Sequence, residues 1–261
     1  MAEAPAIEVS GLKKFYGNFL ALDQVSFTVP RGQILGYLGP NGAGKSTTVN
    51  ILVGLLARSS GAVSFDGRTY QREDFAMRRR IGYVPETGGF YESLSGYEFL
   101  QMVGRLYHLE ENEVERKARG FLELFELERS MHQRLATYSK GMRQKVLISA
   151  ALLHNPDLIF MDEPLTGLDA HTALLLKELI RQMAREGKTV FYCSHVLDVV
   201  ERLCDRVIIL DHGRIVADGN LEELRRSIPQ SGTTTLEEIF KRLTSEEDSG
   251  SRVEQFTALM R

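Results

Sequence analysis

One glycine-rich segment limits what this chain can fold into more than any other feature of its sequence. The segment reads Gly39-Pro40-Asn41-Gly42-Ala43-Gly44-Lys45-Ser46-Thr47. An apolar run at residues 33–38 leads directly into it, and residues 47–56 beyond it are typical of a helix. Strand, glycine-rich loop and helix in this order form a cradle for phosphate. The sequence therefore predicts an α/β domain built around a phosphate-binding loop.

The residues of this loop are suited to the phosphates of a nucleotide. Gly39, Gly42 and Gly44 let the backbone curl so that successive N–H groups face phosphate oxygens. The following helix adds the positive N-terminal end of its dipole. Lys45 supplies a point charge for the β- and γ-phosphates, and the Ser46 hydroxyl is placed to ligate magnesium. We therefore expect ATP and Mg²⁺ as the ligands of this loop.

A carboxylate pair ends a second apolar run, at residues 158–161. A carboxylate at the C-terminal end of a parallel strand faces the crevice in which α/β proteins bind ligands. Asp162 fits an outer-sphere partner of magnesium, because magnesium takes few protein oxygens and keeps several waters. Glu163 would then stand beside the γ-phosphate and orient or deprotonate the attacking water. The pair predicts hydrolysis of the bound nucleotide.

The hydrophobic periodicity predicts two additions to the α/β core. Alternating runs at residues 7–9, 25–29 and 63–65 predict half-buried strands of a small β-subdomain, and helical spacing between residues 86 and 153 predicts an inserted helical subdomain. Further elements are expected in the last hundred residues: a helix at 172–186 stopped by Gly187, strands at 189–193 and 206–210, a hairpin near 211–214, and short helices at 221–226 and 235–243. The polar residues 245–251 are expected to be a mobile linker.

Composition and charge narrow the possible partners. The net charge of −3 and a pI near 6.1 give no electrostatic reason to expect nucleic acid. The N-terminus lacks a signal-peptide pattern, and the apolar runs fall far short of the ~20 residues that a spanning helix needs. Cys193 and Cys204 fit neither a redox pair nor a zinc site, so Cys193 is expected to be a buried thiol in a reducing cytosol.

The order of four motifs resembles the ATP-binding cassette (ABC) ATPases over roughly residues 7–220. The motifs are the phosphate loop, Tyr138-Ser139-Lys140-Gly141-Met142, Asp162-Glu163, and Ser194-His195. Taken alone, Ser139 is an ordinary helix N-cap and His195 a polar strand end. The resemblance implies that Ser139 and Gly141 contact the γ-phosphate bound to a second subunit, and that His195 contacts the γ-phosphate in its own subunit. The signature differs from the common Leu-Ser-Gly-Gly-Gln at Lys140 and Met142, as it does in some exporters of drugs, sodium and antibiotics.

Three further residues take their expected roles from the same resemblance. Tyr16 corresponds to the aromatic ring under adenine, and Asp169 belongs to the loop that crosses the dimer seam. Glu86 stands where most of the family has glutamine, close to magnesium and the γ-phosphate. A carboxylate there can still ligate magnesium, so the metal site expected comprises Ser46, Glu86 and, as its outer-sphere partner, Asp162.

The resemblance implies a P-loop NTPase core, a RecA-like mixed sheet with flanking helices, carrying a small antiparallel β-subdomain and an inserted helical subdomain. It assigns residues 1–226 to a nucleotide-binding domain, with the helical subdomain at about 87–153, and residues 227–261 to a C-terminal helical extension and mobile tail. The chain would form a homodimer of cassettes on the cytoplasmic face of a membrane. Residues 87–99 would receive a helix of a separate transmembrane permease.

Several functional alternatives remain at this point. Export is favoured over import by the Ser-Lys-Gly-Met signature and by the tail Leu236-Glu237-Glu238-Ile239-Phe240, both of which resemble exporters. A mechanical ATPase acting on ribosomes or DNA usually carries two cassettes or a long coiled-coil insertion, and this chain shows neither. A P-loop kinase or GTPase would have no use for residues 138–142.

Overall fold

A computed structural model describes residues 4–226, 235–244 and 259–260 of the 261-residue chain. The linker expected at 245–251 and most of the extension expected at 227–261 lie outside the described residues. The strands within the described residues are β1 (Ile7–Tyr16), β2 (Phe19–Val29), β3 (Ile34–Leu38), β4 (Ser60–Phe65), β5 (Arg68–Thr69), β6 (Ile81–Val84), β7 (Leu158–Asp162), β8 (Thr189–Cys193), β9 (Arg206–Asp211) and β10 (Arg214–Gly219).

The helices in the same part of the chain surround two sheets. They are α1 (Lys45–Leu52), α2 (Phe75–Arg78), α3 (Gly96–Leu106), α4 (Glu111–Leu124), α5 (Lys140–Leu152), α6 (Ala170–Arg185), α7 (Leu197–Leu203), α8 (Leu221–Arg226) and α9 (Leu236–Leu243). The larger sheet has the order β10-β9-β3-β8-β7-β6, in which every pair is parallel except β10 with β9. The smaller sheet is antiparallel with the order β2-β1-β4-β5.

The central strands of the larger sheet are buried on both faces. Along β7, Ile159 and Met161 join one hydrophobic cluster, while Leu158 and Phe160 join the other. One cluster lies under α3–α9, and the other lies between the large sheet, α1 and the antiparallel sheet. This double burial explains why the run reads as continuously apolar rather than alternating. The strand ends, where polar residues begin, are therefore the places at which this sheet can bind a ligand.

The predicted elements are present, with differences at their ends. β1 and β2 are longer than the strands predicted at 7–9 and 25–29, and α1 ends at Leu52 although the sequence predicts helix to residue 56. Gly54 has a φ of +77°, and the N–H groups of Leu55 and Leu56 both donate to the carbonyl of Asn50. A left-handed residue closes the last turn of a helix in this way. The apolar side chains beyond Leu52 therefore belong to the turn and not to the helix.

Candidate functional site

The glycine-rich loop joins the end of β3 to the start of α1 and adopts the expected curled backbone. Gly44 is the N-cap of α1 and has a φ of +106°, and Gly42 has a φ of +82°. A Cβ atom at Gly44 would lie 2.8 Å from the carbonyl oxygen of Ala21 and 2.7 Å from the Leu22 side chain. The loop is therefore packed directly on β2, and position 44 admits only glycine.

Lys45 is held over the loop rather than extended into solvent. Its Nζ donates to the carbonyl oxygens of Gly39 (2.7 Å) and Pro40 (3.1 Å). The far side of the loop is fixed by the β9–β10 hairpin, where Gly213 N–H donates to the Ala43 carbonyl at 3.0 Å. The Lys45 ammonium group therefore lies beside the N-terminus of α1. Its positive charge and the positive end of the helix dipole would attract the same anion.

Asp162 is buried at the end of β7, beside the start of α1. It lies close to Ser46, the second residue of α1, and it pairs in register with Cys193 of β8. Burial raises the pKa of Asp162, and the nearby carboxylates of Glu86 and Glu163 raise it further, while Ser46 and Lys45 lower it. A buried carboxylate among like charges is poised to gain from a cation. Cys193 is a fully buried thiol, as predicted, and burial raises its pKa.

Glu163 is the centre of a hydrogen-bond network with the loop after β8. Its Oε1 accepts from the backbone N–H of His195 (2.7 Å) and lies 2.7 Å from His195 Nδ1, and its Oε2 accepts from the Ser194 hydroxyl (3.1 Å). Glu163 has a φ of +49°, a conformation that few non-glycine residues adopt. Backbone strain of this kind concentrates at functional sites. The strained residue and its three contacts fix the carboxylate at the sheet edge.

One cavity of about 330 Å³ collects the residues at this edge. It is lined by Tyr16, Phe19, Ala21, Asn41, Gly42, Gly44, Lys45, Ser46, Thr47, Glu86, Asp162, Glu163 and His195. The structure thus brings the predicted phosphate, metal and water-activating residues together, with Tyr16 at the rim. His195 itself projects outward, its side chain 71% exposed. Sequence reasoning missed Phe19, although its place next to the Tyr16-Gly17 turn was a usable signal.

The oxygen atoms in this cavity fit a magnesium ion that is bound partly by phosphate. Ser46, Asp162 and Glu86 all line it, and all three offer the hard oxygen ligands that magnesium prefers. Within residues 4–226, 235–244 and 259–260, no group of three or more His, Cys, Asp or Glu side chains could hold a metal ion. One or two carboxylates together with substrate phosphates and water is the usual magnesium arrangement.

The second motif lies away from this cavity, on the start of α5. Ser139 is the N-cap, and its hydroxyl accepts from Met142 N–H at 3.2 Å. Gly141 packs so closely on the loop after β7 that a Cβ atom there would lie 2.4 Å from the carbonyl oxygen of Gly167. Ser139 and Gly141 do not line the chain's own nucleotide cavity. They present an exposed helix N-terminus outward.

Asp169 is engaged within its own chain. It caps α6 by accepting from the Thr172 N–H (2.9 Å) and the Thr172 hydroxyl (2.7 Å), and Lys145 lies 3.4 Å away. The hydrogen bond from the Thr172 backbone is the main cause of its lowered pKa. Gln144, which like Lys145 belongs to α5, donates to the Pro164 carbonyl at 3.1 Å. The segment that follows Glu163 is therefore fastened to the helix that carries Ser139.

Comparison with known proteins gives a consistent result. The family described as ABC transporter matches residues 22–166. The chain is 39% identical to the ABC transporter ATP-binding protein NatA of Bacillus subtilis over 79% of this chain and 85% of that protein. It is 38% identical to the daunorubicin/doxorubicin resistance ATP-binding protein DrrA of Streptomyces peucetius over 85% of this chain and 68% of that protein.

Solved structures agree. An ATP-binding subunit of an ABC transporter superposes with a TM-score of 0.84 at 38% identity, covering 91% of this chain and 99% of that one. A dimeric ATP-binding cassette in a post-hydrolysis state, bound to ADP and phosphate, gives a TM-score of 0.76 at 28% identity, covering 82% and 98%. Among the described residues, no helix is long and apolar enough to cross a membrane.

Proposed function

This chain belongs to the ABC transporter family as an ATP-binding ATPase subunit, and we propose that it powers export through a separate membrane permease. The observation that carries the ATPase part of the proposal is one cavity that joins the phosphate loop to Asp162, Glu163 and His195. Glu163 would orient and deprotonate the attacking water, because its carboxylate is held at the sheet edge by Ser194 and His195. His195, with its exposed ring, would contact the γ-phosphate.

The proposed magnesium site uses the Ser46 hydroxyl with Asp162 and Glu86. A bound magnesium ion would neutralise charge that develops on the transferred phosphoryl group. Lys45 would leave the carbonyls of Gly39 and Pro40 to pair with the β- and γ-phosphates. These residues bind and orient the triphosphate, and Glu163 supplies the base.

We further propose that two copies of the chain close around two ATP molecules. The outward-facing Ser139 and Gly141 support this, since an exposed helix N-terminus carries unpaired N–H groups that suit a phosphate. ABC cassettes assemble as dimers in the dimeric structural neighbour. Each site would combine the phosphate loop of one chain with the signature of the other. Binding would close the dimer and hydrolysis would open it.

A second cavity supports a permease contact at residues 87–99. It has a volume of about 650 Å³ and runs from the nucleotide site to the helical subdomain, lined at one end by Ser46, Glu86 and Asp162 and at the other by Phe99 and Tyr107. Glu86 lines both cavities. A helix of the permease seated here would touch a residue that also faces the nucleotide. The chain would thereby lie at the cytoplasmic face of the membrane without crossing it.

Hydrogen bonds and an ion pair connect the proposed contact segment, residues 87–99, to the segment that leads into the signature, residues 138–142. The carbonyl of Leu94 accepts from Leu135 N–H (2.8 Å), and that of Glu92 accepts from Ala136 N–H (3.1 Å). Arg143, in the first turn of α5, donates to the carbonyls of Leu135 (3.1 Å) and Ala136 (3.0 Å) and lies 3.5 Å from the Glu92 carboxylate. Movement of residues 87–99 would therefore carry the signature with it.

Export is the direction that the relatives favour. The proteins named for resistance to linearmycin and to daunorubicin, and for Nod factor export, are all 35–38% identical to this chain. Importer ATPases and mechanical ATPases share the same cassette chemistry and remain the alternatives. Recovery of this chain together with a membrane protein from its own cells would favour the transporter.

The shared site is tested by mixing two inactive variants. Lys45→Ala removes the phosphate charge, and Ser139→Arg blocks the partner's γ-phosphate with a bulky side chain. Each homodimer is spoiled at both sites, whereas a mixed dimer regains one intact site. Because half of randomly paired dimers are mixed and each carries one of two sites, an equal mixture should recover up to about a quarter of the wild-type ATPase rate.

This experiment presumes that one intact site suffices for turnover. A mixture of wild type with Glu163→Gln is the control, since its mixed dimers also hold one competent site. If that control hydrolyses ATP and the complementing mixture does not, the signature acts within its own chain and the dimer proposal is wrong.

A further inference from the structure

Phe19 is an exposed aromatic ring at the nucleotide cavity, and the phosphate chemistry described above gives it no role. Its side chain is 64% exposed, and it lines the same cavity as the phosphate loop. A phenylalanine ring has no polar atom that gains from contact with water, so exposing it costs free energy. An exposed aromatic side chain that lines a ligand cavity is placed to contact the ligand.

The hairpin between β1 and β2 pairs Phe19 with Tyr16. The two residues are Cα partners across the antiparallel ladder, on either side of a turn at Gly17 and Asn18. Directly paired residues project to the same face of a sheet with their Cβ atoms about 5 Å apart. Tyr16 is itself 48% exposed and lines the same cavity. The hairpin therefore presents two rings, not one, toward the phosphate loop.

The distance of Phe19 from the phosphate loop is set by a rigid backbone contact. Ala21 follows it by two residues on β2, at an irregularity where Lys14 pairs with Leu22 and Phe15 with Leu20, and the Ala21 carbonyl packs against Gly44 at the helix N-terminus. Two residues of a strand span about 7 Å. The backbone of Phe19 thus lies about two strand residues from the contact with the loop, a separation comparable to the sugar that joins a base to its phosphates. A flat base attached to that sugar is the part of a nucleotide that reaches it.

We propose that Phe19 forms a second aromatic wall of the base subsite, so that Tyr16 and Phe19 together hold the purine of ATP. This rests on the proposed binding of ATP by the phosphate loop. Stacking on an aromatic ring is tolerant of base identity because every base has a π-face, and it contributes most for the largest bases. Phe19 is a binding residue that contributes affinity only when the triphosphate carries a base.

The test compares a ligand that has a base with one that has none. Phe19→Ala should weaken binding of magnesium-ATP about tenfold in titration calorimetry, within the range of aromatic–base stacking, while affinity for inorganic triphosphate with magnesium stays within about twofold. Phe75→Ala is the matched control, since Phe75 is 69% exposed on α2 and does not line the cavity. It should change neither affinity.

A second variant detects contact between the bound base and position 19 by fluorescence. The chain contains no tryptophan, so Phe19→Trp creates a single reporter. Saturating ATP should change its emission and inorganic triphosphate should not, whereas the single tryptophan of Phe75→Trp should respond to neither.

Two calorimetric results would overturn the inference: ATP affinity of Phe19→Ala equal to wild type, or equal loss for ATP and triphosphate, which would mean that the loop itself was damaged. Emission of the Phe19→Trp variant that saturating ATP leaves unchanged would do the same. If the wild type binds neither ligand, the proposed phosphate site fails instead, and the inference with it.

Discussion

Replacing Glu163 with glutamine separates the charge of the proposed base from its geometry. The carboxylate accepts from His195 N–H and Ser194 Oγ and lies 2.7 Å from His195 Nδ1. Glutamine keeps the size of the side chain, its Oε1 can still accept from His195 N–H, and its amide can donate to Ser194. The positive φ at this position strains both residues to a similar degree. The substitution therefore removes the base and leaves the loop in place.

The expected magnitude distinguishes a base from a structural contact. Loss of a positioned general base lowers turnover by about 10²–10⁴-fold, which raises the barrier by about 3–5 kcal/mol. Weakening one hydrogen bond of the network would cost only about 1 kcal/mol, or about fivefold in rate. We therefore expect kcat to fall at least about 100-fold, with magnesium-ATP affinity unchanged or tighter.

The measurement is steady-state phosphate release together with ATP binding by titration calorimetry. Glu123→Gln is the matched control, because Glu123 is exposed on α4 and lies outside the nucleotide cavity. It should retain the wild-type rate. The closed ATP-bound dimer should accumulate in the Glu163→Gln variant and be visible by size-exclusion chromatography. A kcat within tenfold of wild type would refute the assignment of Glu163 as the base, since geometry alone would explain so small a loss.

Three further substitutions test the nucleotide site and the pH dependence of stability. Lys45→Ala should weaken binding of magnesium-ATP itself, because the charge facing the phosphates is lost; unchanged affinity in calorimetry would mean that the phosphate loop has been misassigned. Glu86→Gln should preserve hydrolysis with a modest shift in the magnesium requirement, and complete loss of activity would make Glu86 the required base or ligand and demote Glu163. Burial lowers the pKa of His154 to about 4 from 6.5, so the unfolded chain takes up a proton below pH 6.5 that the folded chain refuses, and stability is lost as pH falls from 6.5 toward 4. His154→Phe removes the titrating group and keeps a ring against Tyr107. In urea titrations, the free energy of unfolding should fall between pH 7.5 and pH 5 by about 1 kcal/mol less in this variant than in the wild type, after discounting for partial exposure. Equal falls in the two proteins would contradict this.

Most of the site could be predicted from the sequence because its residues lie in segments whose conformation is determined by neighbouring residues. Gly44 and Lys45 belong to one short segment between a strand and a helix, and Asp162 directly follows a buried apolar run. Residues whose positions depend on contacts between distant parts of the chain were harder to predict. The contact between Glu163 and His195 follows from the register of β7 on β8, which pairs Asp162 with Cys193, and no local pattern encodes that register.

Two other features were missed for different reasons. Asp169 was predicted for a dimer seam, and it also caps α6 through Thr172, a role for which an Asp just before a helix is a usual local signal. Phe19 was overlooked because an aromatic residue in an alternating strand is usually a core residue. Only the position of β2 over the phosphate loop shows that this ring is exposed.

The strand order has a consequence for how the chain reaches its native state. The phosphate loop leaves β3, yet both neighbours of β3 are strands made much later, Thr189–Cys193 and Arg206–Asp211. The loop is also propped by Gly213, from the hairpin that follows. A nascent chain that has only its first half outside the ribosome has none of these supports. The phosphate loop therefore gains its neighbours in the large sheet only after the chain has been made as far as Gly213, so these supporting contacts are long-range and close late in synthesis.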